Sequence, residues 1–257
     1  SLGLGRQEFL DSIEGVNQDV AKDFKGSFMH STKENLEVLF EDNHIIIINK
    51  RAGDITQGDK TGDKPLSDVV KEYVKEKYNK PGNVFIGTVH RLDRPTSGIV
   101  IFARTSKALE RLNKMLRDKT IHKTYWAIVK TNPKKEKDTL VNFLKKDPKK
   151  NKSFVYKKEI EGSKKATLHY KIIKKLDRYF LLEIDLETGR HHQIRTQLSF
   201  IGSPIKGDLK YGFDRSNKDG SISLHARKIE FIHPVSKENI SIIAPTPNDV
   251  IWNVCDS

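Results

Sequence analysis

The sequence predicts a mixed α/β (α+β) fold in which helices flank a central, mostly antiparallel β-sheet. Segments with strand patterns outnumber segments with helical spacing. Most neighbouring strands are separated by short links of the hairpin type, whereas parallel neighbours need crossovers of a dozen or more residues. With 257 residues, the chain is long enough for one large domain or two smaller ones.

The first 34 residues differ from the rest of the chain. They are polar and of mixed charge, with one weak helical stretch around Phe9 to Phe24. We interpret residues 1–34 as an N-terminal extension or an arm left from expression, and residues 35–257 as the folded domain.

Apolar patterns define the elements in the first half of this domain. A helix-starting proline and a capping serine mark two helix starts. In order, the patterns predict strands on either side of Glu41–Asn43, a helix over Leu66–Val74 with Pro65 in its first turn, a buried strand at Ile99–Phe102, a helix with Ser106 as N-cap and a strand from Lys123.

Residues 131–165 are rich in lysine, and we expect a polar hairpin or loop region outside the core. Alternating apolar residues then predict half-buried strands at ATLHYKII and FLLEIDLE. A loop enters a helix that ends at Gly202, and SISLHARKIEFIHP and ENISIIAP are two closing strands.

The chain is strongly basic, with 47 Lys and Arg against 34 Asp and Glu and a net charge of +13. This charge favours a polyanion as partner, nucleic acid first and an anionic membrane surface second. A merely soluble, lysine-rich surface is the alternative.

The longest apolar run, Ile45–Ile48, is too short to span a bilayer, and the N-terminus does not resemble a signal peptide. Its single cysteine, Cys255, excludes a disulfide within the chain, and we expect a cytoplasmic protein without a membrane partner.

Common catalytic motifs are absent from the sequence. It contains no GxSxG elbow, no HExxH metal helix, no GxGxxG dinucleotide fingerprint and no P-loop. His191 and His192 are adjacent, and neighbouring side chains leave a helix about 100° apart, so we expect no metal site.

The stretch HRLDRPTSG, from His90 to Gly98, places Asp93 between Arg91 and Arg94. Such an aspartate is most often part of a structural ion pair. Its place in a loop before a buried strand is also typical of catalytic groups, and a nearby arginine favours the ionised carboxylate. An ionised, positioned carboxylate can act as a nucleophile or a base.

Three separated motifs in this order resemble the large-subunit (RluA-type) family of pseudouridine synthases. HRLDRPTSG is similar to the family's catalytic signature, KTYWAIV to its second motif and TGRHHQIR to its third. The resemblance covers roughly residues 36–247. Arg51 stands where the family usually has proline, and Asp54 where it usually has an apolar residue. These departures put RNA positioning in doubt more than catalysis.

The resemblance implies the pseudouridine synthase fold, with a catalytic cleft, and the isomerisation of uridine to pseudouridine in rRNA or tRNA. No redox change or hydrolysis occurs, so no cofactor or metal is needed. Asp93 would be the catalytic aspartate, acting on the sugar or the base by a route that stays open. Tyr125 would pack on the uracil, and Arg195 would pair with Asp93.

A uridine in a stack must be flipped out before an enzyme can reach it, and arginines can repay that energy. We expect Arg91 to fill the gap that the uridine leaves, whereas Arg94 is equally well explained as a structural contact. His90 is expected to shape the loop beside the RNA. For Arg190 and His191, RNA contact and a packing role are both open. We also expect a monomer, and the rival reading is a catalytically silent RNA-binding protein on the same fold.

Overall fold

The structure is a computed structural model that describes residues 30–257, so the helix predicted around Phe9 to Phe24 lies outside the described part. The described chain divides into two compact units. The first unit comprises residues 30–123 and 225–256, and the second comprises residues 124–224 with Ser257. The domain expected over residues 35–257 thus contains both units, and in the sequence the second unit lies between the two parts of the first.

The described residues form eleven strands, four α-helices and one 3₁₀ turn. In chain order the elements are β1 (Val38–Glu41), β2 (Ile45–Lys50), α1 (Leu66–Lys77), β3 (Gly87–Thr88), β4 (Ser97–Ala103), α2 (Ser106–Arg117), β5 (His122–Val129), β6 (Lys137–Asp147), β7 (Lys152–Tyr156), β8 (Lys164–Lys175), β9 (Phe180–Leu186), α3 (Gln193–Phe200), the 3₁₀ turn (Leu209–Tyr211), β10 (Leu224–Ile232), β11 (Asn239–Ile243) and α4 (Val250–Cys255).

The sheet of the first unit has the order β1-β2-β4-β10-β11, with β3 also paired to β4. Every pair is antiparallel except β4 with β10, which is parallel. All residues of β2 and β4 are buried. These two strands pair from Ile45 opposite Ala103 to Lys50 opposite Gly98, so the apolar runs form the centre of the sheet. Uninterrupted apolar runs are typical of strands that are covered on both faces.

The second unit has the order β5-β9-β8-β6-β7, and every neighbouring pair with a resolved register is antiparallel. The lysine-rich segment forms a long hairpin, β6–β7, as predicted. The expectation that it contributes nothing to the core is wrong, because Leu140 and Leu144 on β6 are buried. The helix α3 packs against β6 and β7.

The predicted fold class, a mixed and mostly antiparallel sheet with helices, is confirmed. Two details differ. The N-cap of α2 is Thr105 rather than Ser106, since the Thr105 hydroxyl accepts a hydrogen bond from the Ala108 amide at 3.0 Å. The short helix α4 was not predicted. None of the helices within residues 30–257 combines the length and the apolar character needed to cross a membrane.

Candidate active site

Asp93 lies in the aspartate loop, His90–Thr96, which leads into β4. The residue is half-buried, whereas its neighbours Leu92 and Arg94 are 7% and 5% exposed. The Thr96 amide donates to the Asp93 carbonyl at 2.9 Å and closes a turn behind the carboxylate. The loop therefore buries both neighbours of Asp93 and leaves Asp93 itself partly accessible.

Residues 50–56, which comprise the last residue of β2 and the segment after it, hold the aspartate loop from both sides of Asp93. On one side, the Thr56 hydroxyl accepts from the Leu92 amide at 3.2 Å and lies 3.3 Å from the Leu92 carbonyl, to which it donates. On the other side, the Gly53 amide donates to the Arg94 carbonyl at 2.8 Å, and Arg94 Nε donates to the Gly53 carbonyl at 2.6 Å. Hydrogen bonds to main-chain atoms on both sides fix the backbone position of Asp93.

Lys50 lies at the centre of this arrangement, with 1% of its surface exposed. Its ammonium group donates to the carbonyl oxygens of Arg51 (2.9 Å), Asp54 (2.7 Å) and Arg94 (3.1 Å). Burial lowers the pKa of Lys50 to about 7, although the carboxylates of Asp54 and Asp93 oppose this shift. Lys50 thus couples electrostatically to Asp93, and sequence reasoning missed it because lysine is rarely buried.

The two departures from the family pattern, Arg51 and Asp54, bind the segment that precedes β1. Asp54 accepts hydrogen bonds from the Ser31 amide (3.1 Å) and hydroxyl (2.6 Å). Arg51 donates to the carbonyl and side chain of Asn35 and pairs with Glu37. Burial alone would raise the pKa of Asp54, but His30, Lys50 and Ser31 together lower it. These residues therefore have partners within the protein.

The basic residues of the aspartate loop differ in exposure. Arg91 is exposed. Arg94 is buried and its Nη1 pairs with Asp63 Oδ2 at 3.0 Å, which favours the structural role among the two that the sequence left open. His90 Nε2 accepts from the Ile101 amide at 3.0 Å. Burial, with a smaller effect of Lys123, lowers the pKa of His90 to about 3, so this ring is neutral at physiological pH.

Tyr125 and Arg195 belong to the second unit. Tyr125 is 7% exposed on β5, opposite Ile184 of β9. Arg195 is 1% exposed on α3, and its guanidinium binds Asp208 through two hydrogen bonds, Nε to Oδ2 at 2.8 Å and Nη2 to Oδ1 at 2.9 Å. A fork of this kind fixes the plane of the guanidinium.

A hydrogen-bond network extends from Arg195 to β7. Arg195 Nη1 lies 3.3 Å from His192 Nε2, and His192 Nδ1 lies 2.7 Å from the Tyr211 hydroxyl. That hydroxyl also accepts from the Ser153 amide at 2.9 Å. Arginine can only donate, so His192 Nε2 is the acceptor of the Arg195 hydrogen bond. The proton of the His192 ring is therefore on Nδ1, which donates a hydrogen bond to the Tyr211 hydroxyl. Sequence analysis did not single out Asp208 or Tyr211 as site residues.

Arg190 and His191 immediately precede α3. Arg190 Nε donates to the Lys165 carbonyl at 2.9 Å, and His191 is within hydrogen-bond distance of Ser153 and Asn151. The helix begins only at Gln193, whose side chain accepts from the Arg190 amide at 3.0 Å. The Arg190 amide is therefore engaged within the loop that precedes α3.

The structure thus brings His90, Arg91, Asp93 and Arg94 together in one loop of the first unit. It brings Arg190, His191 and Arg195 together at the start of α3 in the second unit, which also contains Tyr125. Within residues 30–257, no three His, Cys, Asp or Glu side chains come together as a metal site requires.

Residues 44–200 match the model of the RNA pseudouridylate synthase family. The chain is 35% identical over 224 residues to the "uncharacterized RNA pseudouridine synthase YhcT" of Bacillus subtilis, which covers 86% of this chain and 71% of that protein. It is also 35% identical over 239 residues to the ribosomal large subunit pseudouridine synthase C of Buchnera aphidicola subsp. Baizongia pistaciae, covering 90% of this chain and 73% of that protein.

The fold agrees with these matches. A solved structure titled Human RNA Pseudouridylate Synthase Domain Containing 4 superimposes with a TM-score of 0.72 at 21% identity, covering 85% of this chain and 92% of the human one. This likeness confirms the pseudouridine synthase fold. The family match, which spans more than half of the chain, and the sequence identity to these relatives show that the chain belongs to the RNA pseudouridylate synthase family, in its large-ribosomal-subunit type.

Proposed function

We propose that this RNA pseudouridine synthase uses Asp93 as its catalytic nucleophile. The observation that supports this most is the fixation of Leu92 and Arg94 by residues 50–56, which leaves the carboxylate between them partly exposed. A group held in place before the reaction needs little reorganisation during it.

The proposed reaction is an isomerisation, so substrate and product have the same composition. The bond from N1 to C1′ breaks, the uracil rotates, and C5 forms a bond to C1′. The proton on C5 is released and N1 gains one, so neither an oxidant nor a cofactor is consumed. Asp93 could attack C1′, add to C6 or assist a glycal route, and each route needs the ionised carboxylate.

For Tyr125 and Arg195 we propose the roles that the family motifs imply. Tyr125 would pack on the uracil and accept the C5 proton, and Arg195 would keep Asp93 charged. Two hydrogen bonds to Asp208 fix the plane of the Arg195 guanidinium, which supports a defined pairing with the Asp93 carboxylate.

The proposed substrate is a uridine in large-subunit ribosomal RNA, with tRNA as the alternative. The name of the Buchnera relative supports the ribosomal choice. Exposed Arg91 is our candidate for filling the gap left by the flipped base, with Arg190 and His191 as further RNA contacts. We propose that the protein acts as a monomer without a metal.

Pseudouridine mapping tests this function and identifies the substrate. Total RNA from cells that lack the gene is incubated with wild-type protein or with Asp93→Asn, and every pseudouridine is located. We expect one or a few new sites with the wild type only. If neither protein adds a site while both bind RNA, the catalytic proposal is wrong and a binding-only protein is favoured.

A further inference from the structure

We propose that the β6–β7 hairpin and the start of β8 form a second RNA-docking surface, which binds phosphates of the substrate RNA beside the helix that carries Arg195. This inference rests on the action of the protein on RNA and goes beyond it by assigning a surface. The surface consists of residues 145–165 together with Arg190 and His191.

The charge of this surface is unusually concentrated. Residues 145–165 contain nine lysines against three acidic residues, a net charge of +6, which is nearly half of the +13 of the whole chain. Eight of the nine lysines are exposed, and Lys152 is half-buried. A cluster of like charges opposes folding through its own repulsion, so an anionic partner would relieve that repulsion.

The lysines of this surface differ from three other exposed lysines of the same unit. Lys135, Lys171 and Lys175 pair with Asp138, Glu183 and Glu136 at 3.9, 3.4 and 3.0 Å. Among the residues that the structure describes, none of the nine lysines at positions 145–165 forms an ion pair with an acid. Their charge is therefore available to a ligand, whereas the charge of the other three is already balanced.

The surface is continuous with the site residues of the second unit. The β6–β7 turn contacts the residues before α3, since Asn151 Oδ1 lies 3.2 Å and Ser153 Oγ 2.8 Å from the ring nitrogens of His191. The Tyr211 ring lies 5.4 Å from the Lys152 ammonium and 5.1 Å from the Arg195 guanidinium. At the other end, Arg190 reaches the Lys165 carbonyl. RNA that contacts Arg190 and His191 would thus have phosphates within reach of these lysines.

The dimensions of the surface fit several phosphates. In the strand register, Lys152 of β7 lies opposite Asp147 of β6. Lys165 of β8 lies opposite Phe143, which is four residues earlier on β6 than Asp147. At 3.3–3.4 Å per residue, these positions are about 13 Å apart. Phe154 lies below two of the ammonium groups, at 5.7 Å from Lys150 and 5.5 Å from Lys152. Lysines interleaved with aromatic rings are typical of surfaces that bind single-stranded nucleic acid.

A pair of matched triple variants tests the proposal. The test variant carries Lys150→Gln, Lys164→Gln and Lys165→Gln. The control carries Lys135→Gln, Lys171→Gln and Lys175→Gln, which changes the net charge equally on exposed residues of the same unit. Binding to an unmodified transcript of bacterial large-subunit rRNA is measured between 50 and 300 mM KCl, together with kcat and KM.

We expect the test variant to weaken binding about 10–100-fold at 100 mM KCl and to reduce the slope of log K against log salt by about 2–3, because each lost phosphate contact removes close to one unit. KM should rise while kcat at saturating RNA stays within about threefold. The control should keep the wild-type slope. Equal slopes for both variants would overturn the proposal, because they would mean that only total charge matters.

Two further outcomes separate this proposal from its alternatives. Wild-type protein that binds the transcript through these lysines but forms no pseudouridine would refute the proposed function and leave the docking surface standing. In the other outcome, the wild type sediments with anionic phospholipid vesicles, the test variant does not, and the test variant binds RNA as the wild type does. This outcome would assign the surface to membranes and overturn the proposal.

Discussion

The ammonium group of Lys50 donates a hydrogen bond of 3.1 Å to the main-chain carbonyl of Arg94, 44 residues further along the chain. Lys50 is the last residue of β2, and Arg94 directly follows Asp93. The strand that forms the centre of the first unit therefore also holds the loop that presents the catalytic candidate. Stability of the core and geometry of the site are linked through this one side chain.

Replacing Lys50 by methionine should impair catalysis more than folding. The change removes a buried charge, whose desolvation lowers the pKa of Lys50 to about 7. It also removes one donor from each of three carbonyl oxygens, of which those of Arg51 and Arg94 keep a main-chain amide donor and that of Asp54 does not. These effects oppose each other, so we expect the free energy of unfolding to change by less than about 2 kcal/mol. We expect kcat to fall about 10–100-fold because Asp93 is no longer held in place.

The control for this variant is Lys60→Met, at an exposed lysine of the segment between β2 and α1. Steady-state kinetics and urea unfolding of both proteins give the comparison. A kcat for Lys50→Met within twofold of the wild type would show that the hydrogen bonds of Lys50 do not serve catalysis.

Asp208→Asn should destabilise the second unit. Arg195 and Asp208 are 1% and 0% exposed, so the change removes a buried negative charge that binds the Arg195 guanidinium through two hydrogen bonds. Removing one partner of a buried ion pair typically costs about 3–5 kcal/mol. Unfolding followed by Trp126 fluorescence in a Trp252→Phe background measures this loss. Exposed Asp214→Asn should stay within about 0.5 kcal/mol, and a similarly small effect of Asp208→Asn would contradict the account.

Gly98→Ala should disrupt the junction between the aspartate loop and β4. Gly98 has φ +117°, and an added Cβ would lie 2.4 Å from the Ala226 carbonyl oxygen and 2.5 Å from the Ala226 amide nitrogen. Both atoms belong to the backbone of β10, so they cannot move aside without breaking the pairing. We expect a loss of at least about 3 kcal/mol, or no soluble protein. Gly58→Ala, which has open space around it, should be neutral in the same thermal melt.

His225 should make the first unit sensitive to acid. Its Nδ1 accepts from the Ser97 hydroxyl at 2.7 Å and its Nε2 donates to the Ala244 carbonyl at 3.1 Å. Burial is the main cause that lowers the pKa of His225 from 6.5 to about 4. Between these values the unfolded chain binds a proton and the folded chain does not. Stability is therefore lost as the pH falls from 6.5 towards 4, by about 1.4 kcal/mol per pH unit.

The measurement is urea unfolding at pH 7, 6 and 5, followed by Trp252 fluorescence in a Trp126→Phe background. Trp252 packs 5.8 Å from the His225 ring and so reports on the first unit. His225→Gln keeps one donor and one acceptor but does not titrate. Its stability should fall less steeply with acid than that of the parent, and parallel curves would contradict the assignment.

The sequence predicted the elements whose patterns are local. The apolar runs of β2 and β4 predict buried strands, because a strand with apolar residues on both faces is stable only when both faces are covered. The cap of α2 was misplaced by one residue since Thr105 and Ser106 are both competent caps, and only the backbone conformation distinguishes them.

The contacts that build the candidate site are not local, which is why the sequence could not reveal them. Lys50 reaches Arg94 over 44 residues, and Ser153 reaches Tyr211 over 58. From the sequence alone, a lysine or an aspartate is expected on the surface, because these residues are rarely buried without a partner and only the fold shows that partner. The family motifs pointed to Asp93 and Arg195. The spacing of residues in the sequence predicts neither the hydrogen bonds from residues 50–56 that hold the loop of Asp93 nor the two hydrogen bonds between Arg195 and Asp208.

The most direct test of the account is tritium release from an rRNA transcript labelled at C5 of uridine, under single-turnover conditions. The formation of the C5–C1′ bond expels this hydrogen, so its rate follows the isomerisation itself. We predict release by the wild type, and a rate for Asp93→Asn that is lower by about 1,000-fold or more while RNA affinity changes less than about threefold. An Asp93→Asn rate within about tenfold of the wild type would contradict the central claim that this carboxylate performs the chemistry.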